Sequence, residues 1–104
     1  PGIRISMEAL SQATAKLAPV EIIKPKNALG KCTDSNIQAG LFFGQLAATR
    51  DVIARIKEEA NFSTHTKVIG TGGYAHLFEN ENLFSENLPN LVLSGLLAIL
   101  KKNL

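Results

Sequence analysis

No proline falls between Asp34 and Glu59, and Ile37, Leu41, Val52, Ile53 and Ile56 return to one helical face along that stretch. So long a run without a breaker commits the middle of the chain to a single helix, and the rest must fold around it. Thr33 is expected as its N-cap, with Asp34 in the first turn, where a carboxylate suits the helix dipole. Gly40, Gly44 and Ala48 form a stripe of small side chains along one side. Such a stripe admits a close backbone neighbour, either another element of the chain or a partner subunit.

The flanking segments alternate in kind. Ser6, followed by Glu8, is expected to cap a first helix carrying Met7, Leu10, Thr14 and Leu17, with Pro19 marking its exit. Val20 to Ile23 reads as a short β-branched strand ended by Pro25, and Asn27 to Lys31 as a loop. Beyond the polar connection Asn61 to Thr66, Lys67 to Thr71 reads as a buried strand that runs into Gly72-Gly73. A short helix over Tyr74 to Phe78 and a strand near Leu83-Phe84 are expected next. Pro89-Asn90 then opens a helix on Leu93, Leu96, Leu97 and Leu100, closed by Lys101-Lys102. This order argues for an α/β layer fold. Two or three short strands make a poor sheet, so further strands are expected upstream. The opening Pro1-Gly2-Ile3, without an initiator Met, reads as a cut end.

Composition removes several function classes. With 104 residues, 45% of them hydrophobic, and a net charge of +2, the chain suits one soluble globular unit. Its basic residues are scattered, which argues against nucleic-acid binding. The apolar run Leu91 to Leu100 is too short to span a bilayer. Cys32 is the one cysteine, so an internal disulfide is impossible and a reducing, cytoplasmic setting is the simplest reading. Cys32 has no evident base partner and is expected to be a buried small residue.

The best local chemical signal is the strand–Gly–Thr–Gly–Gly–helix passage at Gly70 to Gly73. Phosphate and adenosine groups need bare backbone at the carboxyl end of a strand and donor N–H groups at the following helix start. A tight turn that needs positive φ explains the same residues. The passage lacks the Lys-Ser/Thr of a Walker loop and the spacing of GxGxxG. Thr33 is a second candidate: a cap that could also contact a small ligand. His65 and His76 have no partners at metal-ligand spacing. No triad, paired carboxylate or metal-holding constellation can be assembled.

Taken together, the segments Pro1-Gly2-Ile3, Ile5-Ser6, Glu8-Ala9-Leu10, Ala15-Lys16-Leu17, Val20-Glu21-Ile22, Lys24-Pro25, Gly30-Lys31 and Thr33 resemble the type III pantothenate kinases of bacteria. The likeness continues through Gln38, Gly40, Arg55 to Ala60, Lys67-Val68-Ile69, Thr71-Gly72-Gly73 and Ala75, and closes on Pro89, Leu91, Leu93, Gly95 and Leu96. That family has also been labelled Bvg accessory factor, a name implying transcriptional activation, and a non-catalytic accessory or regulatory protein of the same fold is the alternative reading.

The resemblance implies the C-terminal lobe of an acetate-and-sugar-kinase/actin-like (ribonuclease H-like) fold, with residues 1–104 as a segment of a two-lobed enzyme. It implies transfer of the ATP γ-phosphate to pantothenate, the first step towards coenzyme A, with Mg²⁺, a monovalent cation (K⁺ or NH₄⁺) and a homodimer. Thr33 maps to a pantothenate contact, and Thr71, Gly72 and Gly73 to the adenosine side of the cleft. The catalytic Asp, the phosphate loops and the metal ligands map upstream of Pro1, so this segment alone is expected to be inactive. Departures from the family pattern are Cys32 in place of Asn, the late proline in Leu17-Ala18-Pro19, Tyr74 and Val92.

Overall fold

A computed structural model describes residues 1–14 and 16–104. Ala15, which the sequence places within the first helix, lies outside the described residues. The chain forms two compact units, Pro1–Phe62 and Ser63–Leu104.

In the first unit, helix α1 spans Ile3–Ala13 with Gly2 as its N-cap, so it starts before Ser6. Ser6 sits inside the helix, and its hydroxyl donates to the Gly2 carbonyl at 3.0 Å. Ser11 and Thr14 make the same bond to Met7 and Leu10, both at 3.2 Å. A serine thus finds a partner one turn back as readily as at a cap, which is why its position did not fix the helix start. Thr14 is already extended, so α1 ends well before Pro19.

Helix α2 covers Thr33–Glu59, the expected length within one residue. It packs against α1. Ile3 and Met7 of α1 are buried, as are Ala39, Leu41, Phe42 and Leu46 of α2. Phe42 is fully buried, and its ring meets Phe43 edge-on at 5.2 Å. Lys24 places its Nζ 5.9 Å from the Phe42 ring centroid. Past Leu46 no residue of α2 is buried, and Val52 and Ile56 are about half exposed. The expected apolar face is therefore covered only along its first half. Gly40, Gly44 and Ala48 are exposed, and a Cβ added at either glycine would meet nothing within 4 Å. Among the described residues no atom lies against these two glycines.

The expected strand at Val20 to Ile23 is absent: those residues have no regular secondary structure. β-Branched residues favour a strand only where a neighbouring strand supplies hydrogen bonds, and this segment is held instead by Gln38 of α2, whose Nε2 donates to the Glu21 carbonyl at 3.1 Å.

The second unit contains a two-stranded parallel sheet, β1 (Ile69–Gly70) and β2 (Glu86–Asn87), paired Ile69↔Glu86 and Gly70↔Asn87. A 3-10 turn at Ala75–Phe78 lies on the crossover between the strands. The second strand thus falls just beyond Leu83-Phe84, where the sequence suggested it. Gly70, Ala75, Phe78 and Leu83 are buried, while Ile69 is exposed, so β1 is shorter and less covered than a buried strand. Helix α3, Leu91–Lys102, has no buried residue. The mixture of helices with a small parallel sheet is compatible with an α/β class.

Phe42→Ala removes the one large side chain that is fully buried among the described residues and should cost about 3–5 kcal/mol of stability. Denaturant titration should show a lower midpoint at unchanged slope; an unmoved midpoint would mean that Phe42 is not a packing anchor.

Candidate functional site

The first candidate surrounds the start of α2. Its cap is Cys32 rather than Thr33, and Cys32 and Ser35 form a capping box. The Ser35 hydroxyl accepts from the N–H groups of Lys31 and Cys32 at 3.0 and 3.1 Å and donates to the Cys32 carbonyl at 3.0 Å. Thr33 becomes the first residue of the helix and is exposed. The capping role expected of Thr33 is thus performed by its neighbours, and its hydroxyl need not be spent on the helix. The preceding loop is held tight: a Cβ at Gly30 would lie 2.6 Å from the Asn36 backbone nitrogen. A groove of about 490 Å³ opens here, lined by Lys24, Lys26, Lys31, Cys32 and Ser35 among others. Thr33 does not line it.

Cys32 is exposed, contrary to the buried role expected of it. Its Sγ lies 3.3 Å from Ser35 Oγ. Contact with the Ser35 side chain and, next, with the Ser35 backbone holds the thiol below its ordinary pKa, while desolvation and the Asp34 charge oppose.

The second candidate is the turn after β1. Thr71, Gly72 and Gly73 are all exposed. Gly72 has φ +101°, a conformation that L side chains rarely adopt, so the tight-turn explanation of this glycine holds. The Ala75 N–H closes the turn on the Gly72 carbonyl at 3.3 Å, and this donor is therefore engaged within the protein. Thr71 Oγ1 donates to the Leu88 carbonyl at 2.8 Å, tying the turn to the end of β2. His76 Nδ1 lies 3.1 Å from the Gly73 carbonyl; a carbonyl can only accept, so Nδ1 carries the proton. Ser35 is a contributor that the sequence reading passed over, and a Cys-x-x-Ser spacing at the helix start was the available signal for it. His76, weighed in the sequence only as a metal ligand, contributes through its bond to the Gly73 carbonyl.

Thr33 belongs to the first unit and Thr71 to Gly73 belong to the second. Among the described residues no group of three or more His, Cys, Asp or Glu side chains is placed to hold a metal. No helix among the described residues is long and apolar enough to cross a membrane.

Comparison with known proteins identifies the family. The family model described as type III pantothenate kinase matches residues 1–55. Over 103 residues, 99% of this chain and 40% of the relative, the chain is 50% identical to type III pantothenate kinase 1 of Francisella tularensis subsp. holarctica, strain OSU18. It is 43% identical over 96 residues, 92% of this chain and 38% of the relative, to the type III pantothenate kinase of Legionella pneumophila, strain Paris. The chain belongs to the type III pantothenate kinase family. It spans about 40% of the length of the curated relatives it matches.

Replacing Ser35 with alanine removes the side-chain contact that lowers the Cys32 pKa. The pH midpoint of Cys32 alkylation by iodoacetamide should therefore rise; an unchanged midpoint would show that Ser35 does not set the thiol's acidity.

Proposed function

We propose that this chain is the C-terminal portion of an ATP-dependent pantothenate kinase, which phosphorylates pantothenate to 4′-phosphopantothenate. The observation that carries the reading is identity of 50% across 99% of the chain to a protein named as that kinase. The names of the relatives favour catalysis over the accessory, non-catalytic alternative.

On this reading residues 1–104 are one segment of the C-terminal lobe of an acetate-and-sugar-kinase/actin-like fold. The N-terminal lobe, the phosphate loops, the catalytic Asp and the ligands of Mg²⁺ and the monovalent cation lie elsewhere in the polypeptide. The enzyme is cytoplasmic and homodimeric. Thr33 contacts pantothenate, a role supported by its exposure and by its release from helix capping. Thr71, Gly72 and Gly73 face the adenosine side, where an exposed turn with little side-chain bulk lets a ligand come close to the backbone. The segment supplies binding surface rather than acid–base groups, and by itself it is inactive.

The full-length protein should phosphorylate pantothenate in a coupled assay with ATP, magnesium and potassium, and absence of turnover would sink the assignment. In that protein Thr33→Ala should raise KM for pantothenate by the equivalent of about 1 kcal/mol, from one lost hydroxyl contact, with kcat little changed. An unchanged KM would remove Thr33 from the binding site.

A further inference from the structure

The β1–β2 ladder is only two residue pairs long, yet residues 71–85, including the Gly72-Gly73 turn, cross between its strands. A 3-10 turn of four residues has little stability of its own. The crossover therefore keeps its place through discrete anchors. At its start Thr71 bonds to Leu88, and at its end the Ser85 N–H donates to the Val68 carbonyl at 2.7 Å. Between them Asn87 Nδ2 of β2 donates to Glu79 Oε1 at 2.6 Å, a side-chain clasp immediately after the 3-10 turn. With a carboxylate as acceptor, this is the strong kind of hydrogen bond.

The other end of the same amide is a cost. Asn87 Oδ1 is buried and accepts no hydrogen bond from the described residues. Burying an unpaired acceptor is unfavourable, whereas an apolar side chain of similar shape carries no such penalty. Packing alone thus gives no reason for asparagine opposite Gly70. Its contribution is the donor directed at Glu79.

We propose that Asn87 is a positioning residue for nucleotide binding: by clasping Glu79 it fixes the 3-10 turn, and with it the Gly72-Gly73 turn, at the carboxyl end of β1. The proposal rests on the reading of that turn as the adenosine side of the cleft. Asn87 acts through Glu79 and the backbone and does not itself touch the ligand.

The test uses the full-length protein, with ATP binding followed by calorimetry and steady-state kinetics in each substrate. Asn87→Leu should raise Kd and KM for ATP about tenfold, the worth of one hydrogen bond to a charged group. KM for pantothenate and the thermal midpoint should stay near wild type. Glu79→Gln keeps an acceptor for Asn87 Nδ2 and should retain most of the ATP affinity, whereas Glu79→Ala should lose it as Asn87→Leu does. Wild-type ATP affinity in Asn87→Leu overturns the positioning role while leaving the kinase reading intact. Equal losses for both substrates with a fall in thermal midpoint also overturn it, since they report general destabilisation. A wild-type protein that binds no ATP overturns the nucleotide reading and this role together.

Discussion

The hydroxyl of Ser35 decides where α2 begins. It takes the N–H groups of Lys31 and Cys32 and returns its proton to the Cys32 carbonyl, which stops the loop and starts the helix at one defined residue. The helix that follows buries Ala39, Leu41, Phe42 and Leu46 on one face, with Lys24 placed over the Phe42 ring. The same choice of cap sets Thr33 on the first turn with its hydroxyl outside the capping arrangement. One local polar cluster thus fixes the entry to the helix that carries the core of the first unit and what its candidate ligand contact can present.

The sequence made the long elements legible and the short ones much less so. α2 is written in the absence of proline and in its apolar spacing, and α3 in Asn90, the leucines and the closing lysines. These signals are local, and helices satisfy their own hydrogen bonds. Strands do not. Val20 to Ile23 has strand composition but receives its hydrogen bond from a Gln38 side chain, and β2 settles at Glu86–Asn87 because the ladder is in register with Gly70, not because those residues favour a strand.

At the candidate sites the same division applies. Gly72 was readable, since a positive φ leaves a clear preference for glycine. Thr33 was noticed but misassigned, because Cys32, Thr33 and Ser35 can all cap a helix and only three-dimensional reach decides among them. Cys32 looked like a buried small residue on composition grounds, yet it stands exposed at the cap. The Asn87–Glu79 bond joins residues with no periodic relation, and nothing in the linear pattern announces it.

Helix α3 has a consequence of a different kind. Leu91, Val92, Leu93, Leu96, Leu97, Ile99 and Leu100 are all substantially exposed, and Lys101 and Lys102 are its only charges. A helix with so wide an apolar face gains by burying it against another surface. The gain comes chiefly from releasing water, a driving force that is entropic near room temperature and carries a large heat-capacity change. Such packing weakens on cooling and strengthens in sulfate, so temperature and salt, rather than pH, are the variables that would loosen or tighten it around this helix.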